Sequence, residues 1–339
     1  MHSCGSKKTK FMEQKYFIGI DVSKDKLDCA IILSDYSVIL ERIVKNKDTS
    51  ISAFLRAFLK KTKASVSSLS VCCECTGIYN KPLERVCNEL GIELWIEQAL
   101  KIKRASTDIR GKSDRKDAMR IAEYAVRYQD RKVPHQMAPE SIKELNTLSK
   151  ARETLLAQKV AIENQLREAK SHDPSLFKRL KELYQSTLKA IDKGLVKIEA
   201  DLQSQLEKNP EIKNNMELMK SIPGIGIQTA IEFIIHTNNF RDFTSAKHLA
   251  CYSGVVPFAN ESGTIIKKPR VSKMANLKLK TLLHLAAMAA VRTKTEIQQY
   301  YIRKVMEGKN KMSVINAVRN KLVHRIWAVI HRQSPYTVR

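Results

Sequence analysis

The chain of 339 residues has few acidic residues, few aromatic residues and no long apolar run. Aromatic side chains make up 6% of it, and the longest apolar run, 285–291, is far too short to cross a bilayer. The basic N-terminus is not followed by the apolar core of a signal peptide. We therefore predict a cytoplasmic protein without a membrane span.

The seven cysteines are an odd number, and they do not form the two CxxC pairs of a structural zinc site. Several of them lie in apolar segments that have the character of β-strands. Buried thiols in a reduced protein are the expected case, and a disulfide framework or a zinc site is not expected.

Positive charge is in clear excess, with 60 Lys and Arg against 35 Asp and Glu and a net charge of +25. Such an excess indicates a polyanionic partner, either nucleic acid or an anionic membrane surface. The excess is strongest in residues 264–339, which contain 17 Lys and Arg but only two acids. Solvated helix faces usually mix both signs, so a phosphate-binding surface is favoured over a merely solvated one.

Short apolar segments in the first part of the chain predict an α/β domain. Three of them, joined by tight polar connections, indicate an antiparallel meander, after which helices and strands alternate. The predicted strands are 16–22, 27–33, 37–44, 69–75 and 92–96, and the predicted helices are 51–59, 82–90 and one that starts at Ser113. The order βββαβαβα indicates a sheet covered on both faces, and it resembles the ribonuclease-H-like fold of RuvC-type resolvases.

Four acids occupy places where carboxylates are unexpected. Asp21 interrupts an apolar strand, where an unpaired carboxylate loses its hydration, and Glu74 ends another strand. Asp114 and Asp117 share one side of a first helical turn, where they could merely complement the helix dipole. As a set, the four acids are better explained as oxygen ligands of Mg²⁺ or Mn²⁺. Three nearby cations predict a groove that attracts phosphate: Lys112, Arg115 and Lys116.

Residues 139–209 are charged, with leucines at a spacing of seven, and they are interrupted at 171–174. Asp173 as N-cap and Pro174 at the first helical position are strong start signals. We predict a helical hairpin or coiled coil that ends near Pro210. Its role stays open between a spacer within one chain, a dimerisation element and an RNA-binding stalk.

The sequence Ser-Ile-Pro-Gly-Ile-Gly at 221–226 lies between two predicted helices. It resembles the helix–hairpin–helix element, in which backbone N–H groups near glycines such as Gly224 and Gly226 contact nucleic-acid phosphate. An ordinary turn between helices explains the pattern equally well.

Six motifs in order are similar to the DEDD transposases of the insertion sequence 110 family. They are IGIDVSKDKLD (18–28), ECTGIY (74–79), GKSDRKDAMRIAEY (111–124), SIPGIG (221–226), YSGVVPFANESGT (252–264) and RVSKMAN (270–276). The resemblance covers nearly the whole chain and implies four parts. These are a flexible basic arm at 1–15, a RuvC-like domain at 16–135, a helical linker at 136–210 and a mostly α transposase domain at 211–339.

The resemblance also implies which residues react. The family's metal-binding acids fall on Asp21, Glu74, Asp114 and Asp117, and its nucleophilic serine falls on Ser262. By itself a serine at this place would be a turn residue, and Ser272 is a competing candidate. Four cations that follow Ser262 would stabilise a phosphate there: Lys267, Lys268, Arg270 and Lys273.

Members of this family are similar to site-specific recombinases and pilin-gene invertases, and they use a noncoding bridge RNA to select donor and target DNA. The resemblance therefore implies a metal-dependent dimer or tetramer that cuts and rejoins DNA through a phosphoserine, in the nucleoid of a bacterium or archaeon. One alternative is a RuvC-like junction nuclease that uses water as its nucleophile. Another is a non-catalytic nucleic-acid-binding protein with a degenerate fold.

Overall fold

The computed structural model describes residues 14–105, 114–262, 265–271 and 275–337, and the side chains among them except those of 259–270. The chain forms two compact units, of which the first ends at Met137 and the second begins at Ala138. The predicted arm at 1–15 lies almost wholly outside the described residues, as do Lys112, Ser113, Ser272 and Lys273.

A five-stranded mixed sheet organises the first unit. Its strands are β1 (Tyr16–Val22), β2 (Lys26–Leu33), β3 (Val38–Lys45), β4 (Leu69–Glu74) and β5 (Glu93–Glu97). They lie in the order β3-β2-β1-β4-β5. The first three are antiparallel neighbours, whereas β4 is parallel to β1 and β5 is parallel to β4. The predicted meander and the predicted strands are confirmed to within one residue at each end.

Helices cover both faces of this sheet, as predicted. They are α1 (Asp48–Thr62), α2 (Lys81–Leu90), α3 (Ala99–Ala105) and α4 (Asp114–Arg127). One face packs on α1 and α2, and the other face forms a separate core with α3 and α4. The sequence did not predict α3, because this short basic helix buries a single apolar side chain, Ile102, and so has no apolar periodicity.

Gly19 sets the position of α4 on the sheet. A Cβ atom at this residue would lie 2.2 Å from the backbone nitrogen of Ala122 and 2.3 Å from the carbonyl oxygen of Ala118. These are backbone atoms, so only glycine permits this approach of α4 to β1. The first turn of α4, which carries Asp114 and Asp117, lies one turn before Ala118.

The second unit begins with two long helices, α5 (Glu140–His172) and α6 (Pro174–Lys208), which pack against each other. The Asp173 carboxylate accepts hydrogen bonds from the backbone N–H groups of Ser175 and Leu176, so it caps α6, with Pro174 in the first turn. The predicted break between the two helices and the predicted end before Pro210 are confirmed. Coiled-coil supercoiling stays a prediction.

The remaining elements of the second unit are mostly helices, which share an apolar core with residues of α5 and α6. They are α7 (Pro210–Lys220), α8 (Ile227–His236), α9 (Ala246–Tyr252), the hairpin β6 (Pro257–Ser262) and β7 (Ile265–Val271), α10 (Leu277–Ala290), α11 (Glu296–Met306) and α12 (Lys311–Arg332). This unit is therefore largely helical. Within the described part of the chain, no helix combines the length and the apolarity that a membrane span requires.

Candidate active site

Asp21 and Glu74 lie on the face of the sheet that α4 covers, at one edge. Side chains alternate along a strand, so Asp21 shares its face with Phe17, and Glu74 shares its face with Cys72. Phe17 and Cys72 both belong to the core beneath α4. Because β1 and β4 are parallel, their C-terminal ends bring the two carboxylates to the same edge of the sheet.

Asp28 is a further carboxylate of this cluster, and the sequence analysis did not single it out. It lies opposite Asp21 in the β1–β2 pair, and only 6% of it is exposed. The Lys26 Nζ atom lies 3.0 Å from Asp28 Oδ2 and 2.7 Å from Asp114 Oδ2. Asp28 carried the same signal as Asp21, an acid within an apolar strand, and the same argument could have found it.

Burial and mutual repulsion raise the pKa values of Asp21 and Glu74. Burial is the largest cause of the raised pKa of Asp21, and the negative charges of Asp117, Asp114 and Asp28 raise it further, against Lys26. The pKa of Glu74 is likewise raised by burial and then by Asp21 and Asp117. Within the described part of the chain, neither Asp21 nor Glu74 has a hydrogen bond or an ion pair to its carboxylate.

Two arginines of α4 form ion pairs with acidic residues around this cluster. Arg120 Nη1 lies 2.6 Å from Asp117 Oδ1, and Arg115 forms an ion pair with Glu41 on β3. A cavity of about 360 Å³ lies beside this pair, and its lining includes Asp28, Arg42 and Arg115. Arg115 and Asp28 both line this cavity, and Lys112 lies outside the described residues. The role of Lys112, Arg115 and Lys116 in attracting phosphate stays a prediction.

The donor set suits a hard divalent cation by its chemistry. Among the described residues, no three His, Cys, Asp or Glu side chains are arranged so that they could hold a metal ion as they stand. The cluster nevertheless offers only carboxylate oxygens, the ligands that Mg²⁺ and Mn²⁺ prefer. Partly buried carboxylates that repel one another cost free energy, and a divalent cation would remove that cost.

Ser262 is the last residue of β6, and its backbone pairs with Ile265 across the hairpin. The sequence analysis placed it in a loop; the backbone at Ser262 instead belongs to a strand. The side chains of Ser262, Lys267, Lys268 and Arg270 lie outside the described set, so their assigned roles stay predictions.

Packing accounts for one of the two glycines in the Ser-Ile-Pro-Gly-Ile-Gly turn between α7 and α8. Gly224 has a φ of +89°, and a Cβ there would lie 2.4 Å from the carbonyl oxygen of Ala286 on α10. A Cβ at Gly226 would meet no atom of the described residues within 4 Å. The role of both glycines in binding nucleic acid stays a prediction, and the open space is at Gly226.

Two family models match the chain. A DEDD model of the IS110 type, described as a transposase, matches residues 18–169. A model described as "Transposase IS116/IS110/IS902 family" matches residues 216–302. The first match contains every acid of the cluster, and the second contains the β6–β7 hairpin with Ser262.

Curated relatives match over nearly their whole length. The pilin gene-inverting protein of Moraxella bovis is 24% identical over 329 residues, which are 96% of this chain and 98% of that protein. The transposase for insertion sequence element IS1111A of Coxiella burnetii is 25% identical over 360 residues, 97% of this chain and 93% of the relative. Among solved structures, T. thermophilus RuvC in complex with a Holliday junction substrate covers 36% of this chain and 99% of its own, with 14% identity and a TM-score of 0.29.

Proposed function

The chain belongs to the IS110 family of transposases, and on that premise we propose that its DNA recombination chemistry is carried out at the acid cluster of β1, β4 and α4. A transposase acts on DNA and cuts it. The finer proposals concern the metal ion, the nucleophile and the guide. Each of them has its own support and its own test.

The observation that carries the metal proposal is the unpaired, partly buried state of Asp21 and Glu74 among other negative charges. We assign them, with Asp114 and Asp117, as the residues that would hold Mg²⁺ or Mn²⁺. When bound, such an ion would polarise the scissile phosphate and lower the pKa of an attacking hydroxyl. Asp28 faces Asp21 and adds negative charge, while Lys26 partly offsets it.

Ser262 is the proposed nucleophile. Its Oγ would attack phosphorus and form an O–P bond, the bond from phosphorus to the 3′ oxygen would break, and that oxygen would leave as a free hydroxyl after taking up a proton. The reverse reaction on a partner strand rejoins DNA without an external energy source. Lys267, Lys268, Arg270 and Lys273, close in sequence, would stabilise the charge that develops on the phosphate.

The test of the nucleophile uses matched serine variants. Wild-type protein with its DNA and Mg²⁺ should form a covalent adduct that survives denaturing electrophoresis, and Ser262→Ala should not. Ser272→Ala is the control and should form the adduct normally. An adduct that persists in Ser262→Ala and disappears in Ser272→Ala would transfer the role to Ser272.

A junction nuclease of the RuvC kind, with water as the nucleophile, uses the same acids and leaves Ser262 passive. It predicts Mg²⁺-dependent cleavage with no protein-linked strand at any time point. If the protein only bound nucleic acid, it would not cleave DNA, and Asp21→Asn would not change its binding of nucleic acid. Adduct formation that depends on both Asp21 and Ser262 excludes both alternatives.

A bridge RNA that selects donor and target DNA is proposed as the guide, and a homodimer or homotetramer as the acting form. The net charge of +25 supports a nucleic-acid partner but not a particular one. The protein purified from its own host should carry one discrete RNA species, and nuclease removal of that RNA should abolish site-specific DNA binding. A heterogeneous mixture of short RNAs would contradict the guide.

A further inference from the structure

Arg319 of α12 is a buried cation without an acidic partner among the described side chains. Only 8% of the residue is exposed, and its Nε atom has no hydrogen-bond partner among the same residues. No carboxylate among the described side chains forms an ion pair with it. Burial alone lowers its pKa, with no opposing negative charge. An uncompensated buried charge is costly, so an anion is expected at this place.

Another arginine of the same helix shows the usual arrangement. Arg325 Nη2 lies 2.9 Å from Glu296 Oε1, and its guanidinium lies over the ring of Tyr336 at 5.1 Å from the centroid. Six residues apart on α12, one arginine has its carboxylate, and the other has none among the described side chains. This difference is expected if the charge of Arg319 serves a bound anion.

His284 of α10 is a poor partner for a guanidinium. Arg319 Nη2 lies 2.6 Å from His284 Nδ1. Arginine can only donate, so Nδ1 accepts and the proton of the neutral ring is on Nε2. Burial and the charge of Arg319 both lower the pKa of His284, which keeps the ring neutral. Its Nε2–H is then a further donor, on the side of the ring away from the guanidinium.

The helices that carry these donors contact the chain at the base of the β6–β7 hairpin. Asn316, one turn before Arg319, donates a 2.9 Å hydrogen bond to the carbonyl of Val255, two residues before β6 begins. Lys280, one turn before His284, has its Cδ 3.3 Å from where a Cβ of Gly254 would lie. Val271, the last residue of β7, lies 3.7 Å from the same point. The hairpin that carries Ser262 thus begins and ends beside Lys280, and the residue one turn before Arg319 contacts the segment that leads into it.

We propose that Arg319, His284 and Lys280 form a binding site for a phosphate group of the DNA backbone at the base of the β6–β7 hairpin. The proposal rests on the DNA-recombining function proposed above and adds a contact to it. The guanidinium, with His284 as its neutral acceptor, would donate hydrogen bonds to non-bridging oxygens, and the Lys280 ammonium would add charge. The site would hold the strand but take no part in bond breaking.

The decisive variant is His284→Glu, which places a carboxylate beside Arg319. The new ion pair should raise the melting temperature and should compete with phosphate. Affinity for a fluorescein-labelled DNA duplex, measured by anisotropy, should fall about tenfold, and the slope of log Kobs against log[KCl] should become shallower by about one. Leu285→Glu adds the same charge at the next, exposed position and should leave the slope near the wild-type value.

Arg319→Met is a second, independent test of the phosphate site. Removal of the unpaired cation should stabilise the DNA-free protein and make the salt slope shallower by about one. A wild-type slope in both His284→Glu and Arg319→Met overturns the proposal, and so does a slope change that Leu285→Glu reproduces in full. A melting temperature that rises in inorganic phosphate only for wild type, with no change of DNA slope, would assign a free-phosphate site and reject the DNA contact.

The outcome is separable from that of the catalytic proposal. Asp21→Asn should keep the wild-type salt slope, because the acids are not needed for this contact. Failure of the phosphate site would leave Mg²⁺-dependent adduct formation intact. Adduct formation that persists in Asp21→Asn would overturn the catalytic proposal, and a normal effect of His284→Glu on the salt slope would then leave the phosphate site intact.

Discussion

At the scale of the residue, the informative side chains are charged groups whose partners are missing or mismatched. Asp21 faces other carboxylates, and Arg319 faces an imidazole. Both arrangements cost free energy in the isolated chain, and both are explained by a ligand that carries the opposite charge. The ligand for the acids would be a divalent cation, and the ligand for the arginine would be a phosphate.

Asp21→Asn should stabilise the metal-free protein. The pKa of Asp21 is raised in the folded state, so its contribution is favourable below the unfolded value of 3.8 and is lost as pH rises through the folded value. In EDTA at neutral pH the variant should be more stable by up to about 1 kcal/mol, and the difference should vanish near pH 3. Thermal unfolding across pH measures this.

The control for that comparison is Asp25→Asn, an exposed acid four residues away. In EDTA at neutral pH it should leave stability within about 0.5 kcal/mol of wild type. With Mg²⁺ added, wild type and Asp25→Asn should both gain stability, and Asp21→Asn should not. Equal gains in all three proteins would remove Asp21 from the metal site.

Glu232 of α8 shows the opposite electrostatic case. Only 4% of it is exposed, and burial opposes its ionisation. Hydrogen bonds to His236, Ser149 and Lys278 nevertheless lower its pKa to about 2. Its stabilising contribution is therefore complete above the unfolded value of 4.5 and is lost as pH falls from 4.5 to about 2.

Glu232→Gln should destabilise the second unit by about 3 kcal/mol at neutral pH, because the buried partners lose their charge-assisted hydrogen bonds. Chemical denaturation of the two proteins gives this difference, which should shrink below pH 4. Glu153→Gln removes the exposed partner of Lys278, whose Nζ lies 2.6 Å from Glu153 Oε2, and should cost about 0.5 kcal/mol. A similar cost for both variants would contradict the buried network.

At the scale of the element, α4 is the piece that completes the acid cluster, and its place depends on Gly19. The approach of helix to strand is set by the absence of a single methyl group. Asp114 and Asp117 then reach the electrostatic neighbourhood of Asp21, whose pKa they raise. Strand order alone would not bring the helix acids there.

Gly19→Ala should displace α4. The added methyl group would overlap backbone atoms of Ala118 and Ala122, so we expect a loss of about 3 kcal/mol or more, together with loss of Mg²⁺-dependent stabilisation. Differential scanning calorimetry with and without Mg²⁺ is the measurement. Gly194→Ala in α6 is the control, since its methyl would meet only the Leu155 side chain, and it should be neutral or stabilising.

The sequence predicted the sheet of the first unit well because each strand is a short apolar run bounded by polar turns. It did not predict α3, because this helix has too few apolar residues to show helical periodicity. It also did not predict a role for Asp28, although Asp28, like Asp21, interrupts an apolar strand. The partners of Glu232 and Arg319 were beyond prediction. Glu232 and its partner Ser149 are 83 residues apart in the sequence, and Arg319 and His284 are 35 apart. No local sequence pattern predicts such pairs.

At the scale of the whole molecule, the excess of positive charge should dominate DNA affinity. A chain with a net charge of +25 that contacts several phosphates should lose about 10³-fold or more in affinity between low and physiological salt. The membership in a transposase family explains why such a charge is useful. This overall salt dependence of DNA affinity should persist when any single cation is removed.

The salt dependence of DNA binding should not require the metal ion. Equilibrium binding of a DNA duplex to wild type and to Asp21→Asn in EDTA should give parallel lines of log Kobs against log[KCl], because counterion release reports phosphate contacts. With Mg²⁺ in place of EDTA, wild type should cleave the same DNA and Asp21→Asn should not. Parallel loss of binding and cleavage in Asp21→Asn would mean that the acid serves the fold rather than the chemistry.

The most direct test of the acid cluster is the anomalous scattering of Mn²⁺ in crystals of the full chain. We predict a peak within about 2.3 Å of carboxylate oxygens of Asp21 and Glu74, with Asp114 or Asp117 completing the set, and no peak at this place in Asp21→Asn. Strong Mn²⁺ peaks elsewhere, with these carboxylates left without metal in crystals saturated with the ion, would contradict the account.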